Sequence, residues 1–158
     1  MPIDEAAFKL AMSHFASGVT VVTTEHDAKL FGMTVASFAS LSLRPPLVLI
    51  CIEKTVKTHD AIAGAGKFGV SILSADQGDI SGRFASRSDD KFSGVEVQRG
   101  GQLGVPLIAG ALTTLECSVY DQLPGGDHTI FIGEVVDART IDGSPLLYFR
   151  SGYREMRA

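Results

Sequence analysis

The sequence predicts a mainly β protein with a few peripheral helices. Glycine accounts for 17 of the 158 residues, and a chain rich in glycine, valine, isoleucine and threonine favours strands joined by tight turns. The β-branched run at 19–24, VTVVTT, is followed by a turn candidate at 26–29 and a second strand candidate at 30–36. Consecutive antiparallel strands suit a barrel or meander better than an α/β sheet. The length favours a single domain over residues 1–158.

Composition and charge argue against several classes of partner. The formal net charge is −4, whereas a nucleic-acid-binding protein needs a basic face for phosphate contacts. No apolar run reaches the length of a membrane span, and the first ten residues lack the basic flank and apolar centre of an export signal. Cys51 and Cys117 match no metal-binding spacing. We therefore expect a cytoplasmic protein with reduced thiols and with no nucleic acid, membrane or metal ion as partner.

Residues 4–17 have the pattern of an amphipathic helix. Apolar side chains recur at the i, i+3, i+4, i+7 spacing, at Phe8, Ala11, Met12 and Phe15. Asp4 is placed to cap the start of this helix and Gly18 to end it. We expect the apolar stripe to pack over one mouth of the sheet.

Two shorter helices and five further strands complete the predicted framework. The helices are expected at 59–63, with Thr58 as N-cap, and at 77–84, with Ser74 or Asp76 as N-cap. The strands have apolar or alternating patterns and are expected at 47–52, 67–73, 111–122, 127–138 and 146–149. The first of these strands is apolar throughout, which indicates burial on both faces.

Glycine and proline mark the expected connections. Residues 64–66 end the first short helix, and residues 93–109 form a turn-rich connection without the Gly-x-Gly-x-x-Gly spacing of a Rossmann dinucleotide site. Residues 123–126, LPGG, are expected to turn between the two long strands. Gly133 inside the second long strand indicates a bulge or a close backbone approach. Residues 150–154 are expected to form a short polar and aromatic tail.

The stretch 31–53 carries the strongest indication of a ligand site. It contains four hydroxyl side chains within nine residues, at Thr34, Ser37, Ser40 and Ser42. Ala36 and Ala39 keep the surface low between them, so that a flat ring can lie against the backbone while hydroxyl and amide groups meet its polar edge. The same residues are also typical of an edge strand followed by a serine-rich turn. The pattern alone leaves both interpretations open.

The segment that follows is a candidate anion site. Lys54, Lys57 and Thr58 precede the expected helix at 59–63, where free N–H groups and a cap hydroxyl favour a phosphate. An ordinary strand-to-helix turn with solvated lysines explains the same residues.

A second basic cluster lies further along the chain. Arg83, Arg87 and Lys91 surround Phe84 and Phe92, and arginine can bind phosphate through two parallel hydrogen bonds. A solvated loop, in which neighbouring aspartates balance the basic residues, explains the cluster equally well.

Three pieces of the 31–53 stretch resemble the signature of the flavin reductase family. They are Gly32-Met33-Thr34-Val35-Ala36-Ser37-Phe38, Ser40-Leu41-Ser42 and Pro45-Pro46-Leu47-Val48. The resemblance continues through Gly126-Asp127-His128 and covers nearly the whole chain. It implies an FMN-binding split β-barrel of Greek-key type that forms a homodimer. It also implies reduction of FMN or FAD by NADH or NADPH, with diffusion of the reduced flavin to a separate flavin-dependent monooxygenase.

The resemblance also implies the parts of the site. The isoalloxazine ring would be lined, mostly by backbone atoms, by Thr34, Val35, Ala36 and Ser37. The ribityl chain and ring edge would lie near Ser40, Ser42, Cys51, Ile52, Glu53 and Phe84. The phosphate would be bound by Lys57, Thr58 and Arg83; relatives often carry a serine where this chain has Val56. His128 would contact the nicotinamide as the catalytic residue, and the C-terminal end of the site would be closed by Tyr148, Arg150 or Tyr153.

Several other functions compete with flavin reduction as explanations of the sequence. A Ser-His-Asp hydrolase is disfavoured because Asp127 and His128, as neighbours in one strand, would point to opposite faces, and because the chain has no Gly-x-Ser-x-Gly elbow. A split barrel that holds flavin as an electron carrier or sensor, a pyridoxamine phosphate oxidase and a non-enzymatic binding module remain alternatives. The triplet Gly126-Asp127-His128 favours the reductase.

Overall fold

The computed structural model describes residues 1–157 as a mainly β chain with three helices. The helices are α1 (Glu5–Ser13), α2 (Lys57–Ala65) and α3 (Gly78–Ala85). The strands are β1 (Ser17–Gly18), β2 (Thr20–His26), β3 (Lys29–Val35), β4 (Phe38–Ser42), β5 (Leu47–Glu53), β6 (Lys67–Ile72), β7 (Val97–Arg99), β8 (Pro106–Ile108), β9 (Thr113–Gly125), β10 (His128–Thr140), β11 (Leu147–Phe149) and β12 (Gly152–Arg154). The predicted class, mainly β with peripheral helices, is confirmed.

One antiparallel sheet forms the framework. Its seven strands are ordered β3-β2-β6-β9-β10-β5-β4, and every neighbouring pair is antiparallel. A three-stranded sheet β1-β11-β12 and the hairpin β7-β8 lie outside it. The expected hairpin of β2 and β3 is confirmed, because Asp27 and Ala28 both adopt positive φ, as a tight two-residue hairpin turn requires.

The long hairpin of β9 and β10 is tighter than the sequence indicated. Residues 123–126 were expected to form the turn, but Leu123 and Pro124 are paired with Ile130 and Thr129. The strand therefore runs to Gly125, and only Gly126, with φ of 66°, and the next residue make the turn. The expectation for 123–126 was wrong because ladder pairing continues through the proline.

Gly133 confirms both parts of its prediction. The register of β10 against β9 shifts between Ile132 and Gly133, as a bulge requires. A Cβ added at Gly133 would lie 2.5 Å from Cζ of Phe68. The glycine therefore lets β10 pass directly over a core phenylalanine.

Two hydrophobic clusters form the core. The larger packs between β5, β6, β9 and β10 around Phe68 and Phe131, which are both fully buried. The smaller includes Phe84 and Leu73. Burial of each such side chain contributes on the order of 1.5–3 kcal/mol. In β5 only one face is fully buried. On the opposite face Leu49 and Cys51 are half-buried, so the expectation that both faces are buried was wrong for that face.

Helix α1 is shorter than predicted and packs differently. Oδ1 of Asp4 accepts a 2.8 Å hydrogen bond from the N–H of Ala7, which confirms the N-cap. The helix ends at Ser13 rather than at Gly18, because Ser17 and Gly18 pair with β11. No α1 residue is buried, so the expectation that the stripe covers the sheet was wrong for the single chain. No helix within residues 1–157 is long and apolar enough to cross a membrane.

The caps of α2 and α3 also differ from the predictions. Val56, not Thr58, is the N-cap of α2, and it makes no side-chain cap hydrogen bond. Gly66 ends α2 in the left-handed region, as expected. Helix α3 begins after Gln77. Neither Ser74 nor Asp76 caps it, because their side chains bond to each other.

Two segments that were expected to lack strands contain them. Within 93–109, strands β7 and β8 form a hairpin. At the C-terminus, β12 pairs with β11, and the turn between them places Arg150 and Ser151 at positive φ. Such short strands have too few residues to show a periodic pattern, and they form only through pairing with a neighbour.

Candidate functional site

The serine-rich stretch is attached to the end of β5. The carbonyl oxygen of Ser37 accepts a 3.1 Å hydrogen bond from the N–H of Cys51, and its Oγ donates to the Cys51 carbonyl at 3.0 Å. Beyond it, β4 pairs with β5 and carries Ser40, which is exposed, and Ser42, which is half-buried. Ala36 and Ser37 are themselves exposed. The stretch therefore forms a low, polar edge beside β5.

Strand β10 brings the predicted nicotinamide residue to the same end of the sheet. His128 is opposite Glu53, Thr129 is opposite Ile52, and Ile130 is opposite Cys51. Residues more than 70 positions apart in the chain thus lie side by side. The side chains of Ile52 and Val35 are buried, so those two positions can contact a ligand only through backbone atoms.

Lys54 fixes the hairpin turn beside this edge. Its backbone N–H donates to the carbonyl of Asp127 at 3.0 Å, and its Nζ donates to the carbonyl of Gly126 at 2.8 Å. Sequence reasoning treated Lys54 only as a possible anion ligand. Its two bonds instead hold the turn from which His128 leaves.

His128 and Asp127 form a hydrogen-bonded pair. Nδ1 of His128 lies 2.7 Å from Oδ1 of Asp127, and the His128 side chain is 41% exposed. The hydrogen bond and charge of His128 lower the pKa of Asp127 below its ordinary value. The expectation that the two side chains point to opposite faces was wrong, because Asp127 belongs to the turn and not to the strand. A hydrolase would still need a nucleophile elbow, which the sequence lacks.

The start of α2 follows β5 along the chain. Because Val56 provides no side-chain cap, backbone N–H groups of the first turn are left for another acceptor. Lys57 is exposed, and its Nζ lies 2.9 Å from Oδ1 of Asp89, a bond that lowers the pKa of Asp89. Thr58 is buried within the helix. The candidate anion site therefore already carries an internal carboxylate partner.

Arg83 is exposed, whereas its neighbour Phe84 is buried. Arg83 donates from Nε to the carbonyl of Lys91 at 2.7 Å and from Nη2 to the carbonyl of Asp90 at 3.2 Å, so it holds the 86–92 loop. Phe84 is fully buried and packs edge-on against Phe92, with ring centroids 5.0 Å apart. The expectation that Phe84 packs near a ligand ring is therefore corrected, because α3 turns this side chain into the core.

Lys91 also holds the 86–92 loop in place. Its Nζ donates to the carbonyls of Gly32 and Phe84, at 3.2 Å each. Burial lowers the pKa of this ammonium below its ordinary value, against the opposing charge of Asp89. The loop is thus tied to β3 and α3 from within, by bonds that leave Lys91 with little freedom to reach a ligand.

The C-terminal hairpin meets β3 through α3. Thr34 donates from Oγ1 to the carbonyl of Ser81 at 2.6 Å, and the hydroxyl of Tyr153 donates to Oγ of Ser81 at 2.8 Å. The hydroxyl proton of Thr34 is therefore already engaged. The ring of Tyr148 packs edge-on against Tyr153 at 5.8 Å. The N–H of Arg150 donates to the carbonyl of Ser13 in α1 at 2.8 Å.

A cleft opens between β1 and the serine-rich stretch. Its volume is about 240 Å³, and it is lined by Ser17, Gly18, Val19, Thr20, Ala36, Phe38 and Ile72. Ligand pockets for molecules of drug size typically have about 300–1,000 Å³. The single chain thus offers a shallow, mostly apolar recess beside Ala36.

Sequence reasoning missed one half-buried side chain at this end of the sheet. Nε2 of His59, in the first turn of α2, lies 2.7 Å from Oγ1 of Thr129, the residue after His128. A histidine two positions after a lysine carries no recognisable pattern. Its partner is 70 residues away, so only the fold reveals the contact.

Comparison with known proteins identifies the family. The family model described as "Flavin reductase like domain" matches residues 12–157. The chain belongs to the flavin reductase family. It is 43% identical, over 152 residues, to the reductase component of the 4-nitrophenol 4-monooxygenase/4-nitrocatechol 2-monooxygenase of Rhodococcus opacus, covering 96% of this chain and 81% of that protein. It is 40% identical, over 149 residues, to an NADH-dependent flavin reductase of a Rhodococcus species, covering 92% and 83%.

A solved structure of the same family has the same architecture. The NADH:FAD oxidoreductase of Streptomyces globisporus C-1027, in complex with NAD and FAD fragments, matches with a TM-score of 0.94 at 39% identity. The match covers 98% of this chain and 93% of that one. The resemblance that the serine-rich stretch indicated is therefore confirmed.

The described residues fit a flavin in their chemistry. The exposed, small Ala36 and Ser37 leave a ring room against the backbone. The uncapped start of α2 and Lys57 provide donors for a phosphate. His128 engages only one of its ring nitrogens with Asp127, which leaves the other for a second ligand. These three features lie at one end of β5 and β10.

Proposed function

We propose that this protein is an NADH-dependent flavin reductase that supplies reduced FMN or FAD to a separate flavin-dependent monooxygenase. The observation that carries the proposal is the β5–β10 register, which places His128 opposite Glu53 while Ser37 is bonded to Cys51. Ring-binding, phosphate-binding and nicotinamide-binding candidates thereby share one edge. The names of the relatives support NADH as donor and a monooxygenase as recipient.

The chain contributes binding and orientation to the reaction. When bound, the flavin would supply an electron-accepting ring and the nicotinamide would supply a hydride. Ala36 and Ser37 support the ring through exposed backbone and a short side chain. Lys57 and the first-turn N–H groups of α2 bind the phosphate, with Asp89 displaced from Lys57. The main contribution of such a protein to the rate is to hold the two reactants close together in the correct orientation.

His128 orients the nicotinamide through its free nitrogen. In the neutral ring, Nδ1–H donates to the Asp127 carboxylate, so Nε2 carries the lone pair. Nε2 therefore accepts a hydrogen bond from the amide NH₂ of the nicotinamide, which provides two donors. This role specifies the sequence-based expectation that His128 contacts the nicotinamide. Asp127 acts through His128, because it fixes the tautomer and the ring orientation.

The proposed fold is a single split-barrel domain of Greek-key type over residues 1–158, and the proposed assembly is a homodimer. Two features support the dimer. Phe8 and Met12 of α1 are exposed, as is Phe15 just after the helix, which is 80% exposed. The cleft beside Ala36 is also shallow in the single chain. A second copy would cover apolar surface and deepen the recess. A monomer by light scattering would contradict this assembly. The cytoplasmic location stays a prediction, in accord with two free thiols.

The proposed activity is tested by steady-state oxidation of NADH and NADPH by the purified protein, with FMN, FAD, riboflavin or no added flavin. We expect turnover that requires added flavin and is faster with NADH. No turnover with any pair, from a protein that keeps a bound flavin through dialysis, would overturn the reductase assignment in favour of an electron carrier or sensor.

A further inference from the structure

A partly buried hydrogen-bond chain joins α2 to the strand that carries His128. The side chain of His59 is only 15% exposed. Its Nε2 lies 2.7 Å from Oγ1 of the buried Thr129, and its Nδ1 lies 2.9 Å from Oδ1 of the exposed Asp60. The ring also packs edge-on against the buried Phe131, with centroids 5.3 Å apart.

The Asp60 carboxylate fixes the direction of this chain when the imidazole is neutral. A carboxylate only accepts, so Nδ1–H of His59 donates to Asp60, and Nε2 is left with the lone pair. The hydroxyl of Thr129 therefore donates to Nε2. A purely apolar side chain at position 59 would pack on Phe131 equally well, but it would leave the Thr129 hydroxyl without this partner.

This bond is the side-chain hydrogen bond that ties α2 to the main sheet within residues 1–157. The helix has no side-chain N-cap to fix its start, and Lys57 bonds outward to an exposed aspartate. The orientation of the first turn thus depends on apolar packing and on His59. Lys57 and Thr58 directly precede His59, while Thr129 directly follows His128.

We propose that His59 is a positioning residue, which aligns the phosphate-binding start of α2 with the nicotinamide-binding start of β10 through Thr129. The role rests on the proposed function, since it requires a flavin phosphate at α2. His59 makes no contact with the ligand itself. His59 instead determines the position of the Lys57 ammonium and of the first-turn N–H groups of α2 relative to the edge formed by β5 and β10.

The test compares flavins with and without a phosphate. The dissociation constants of FMN and riboflavin are measured by flavin fluorescence, and their ratio, riboflavin over FMN, reports the phosphate site alone. We expect a ratio well above one for the parent protein. Thr129→Val, which replaces the hydroxyl by a methyl group of similar size, should lower the ratio about 3- to 10-fold, the effect of losing one hydrogen bond that orients the site. Thr129→Ser should keep the parent ratio.

A matched control separates positioning from stability. Thr23→Val makes the same change at a buried threonine that bonds to the carbonyl of Pro106, away from the site. It should lower the melting temperature and leave the ratio within about twofold of the parent. His59→Leu should lower the ratio as Thr129→Val does. Both changes break the same hydrogen bond, between His59 and Thr129. The double variant should therefore lower the riboflavin-to-FMN ratio no further than either single variant.

The outcomes distinguish two failures. A parent ratio of one would overturn the phosphate site at α2 and the role of His59 together. A parent ratio well above one that neither Thr129→Val nor His59→Leu lowers would overturn only the positioning role, and the reductase assignment would stand. Equal effects of Thr23→Val and Thr129→Val on the ratio would reduce His59 to a general contributor to stability.

Discussion

His128→Ala tests the nicotinamide contact most sharply. The substitution removes the one ring nitrogen that Asp127 leaves free, and it removes little packing, since the side chain is 41% exposed. The flavin contacts proposed for Ala36, Ser37 and α2 remain. The change should therefore affect NADH far more than flavin.

The size of the effect follows from one hydrogen bond in a half-exposed position. A neutral hydrogen bond contributes about 0.5–1.5 kcal/mol net, and about 1.4 kcal/mol corresponds to a tenfold change in affinity. Because water competes at a side chain with this exposure, the lower half of the range applies. We predict that kcat/KM for NADH falls about 2- to 5-fold, while the dissociation constant of FMN changes less than twofold.

The assay is initial-rate NADH oxidation at saturating FMN, with FMN affinity measured separately. Gln122→Ala is the matched control, because Gln122 is an exposed residue on the same hairpin. An unchanged kcat/KM for NADH in His128→Ala would remove His128 from the site. An equal loss in Gln122→Ala would show that the hairpin, rather than the imidazole, was disturbed.

Three further predictions concern the anion site, the sheet and the core. Asp89→Asn should tighten FMN binding about two- to threefold, and Lys57→Ala should weaken it, because Asp89 competes for the Lys57 ammonium; fluorescence titration measures both. Gly133→Ala should lower the free energy of unfolding by about 1–3 kcal/mol, because its Cβ would overlap Phe68, as urea denaturation will show. Burial raises the pKa of Cys117 from 9.0 to about 12. Between these two pH values the thiol ionises in the unfolded chain but not in the folded one, so its contribution to the free energy of unfolding is complete below pH 9 and is lost as the pH rises towards 12. The melting temperature of the parent should therefore fall more steeply over that pH range than the melting temperature of Cys117→Ala.

Local patterns predicted the framework well. The β2–β3 hairpin follows from a β-branched run and a short turn, and the whole hairpin, Thr20 to Val35, lies within 16 consecutive residues. The amphipathic pattern found α1 and its Asp4 cap. The pattern of α1 also predicted packing that the single chain does not show, because periodicity indicates an apolar face and not what covers it.

Element ends were harder to predict, and they decided the local chemistry. Thr58 is a common capping type, yet Val56 holds the extended backbone before α2. Pro124 indicated a turn, yet it pairs within the ladder. The shift of that turn placed Asp127 outside the strand, and so produced the Asp127–His128 bond that sequence reasoning had excluded.

The site was predicted in its parts and not in its arrangement. The resemblance named Ser37, Cys51 and His128, but their proximity depends on the register of β5 against β10. The resemblance also assigned Phe84 to the site, although α3 directs this side chain into the core. His59 was missed because its meaning depends on Thr129, and no local pattern joins residues so far apart.

Anaerobic mixing of the protein and oxidised FMN with NADH tests the central claim most directly. With oxygen excluded, reduced flavin accumulates, and the loss of flavin absorbance can be compared with NADH consumed. Reduction of FMN mole for mole with NADH, at a rate proportional to protein concentration, is the result that a hydride-transferring site at the β5–β10 edge predicts. Flavin reduction no faster than in a protein-free mixture would contradict it.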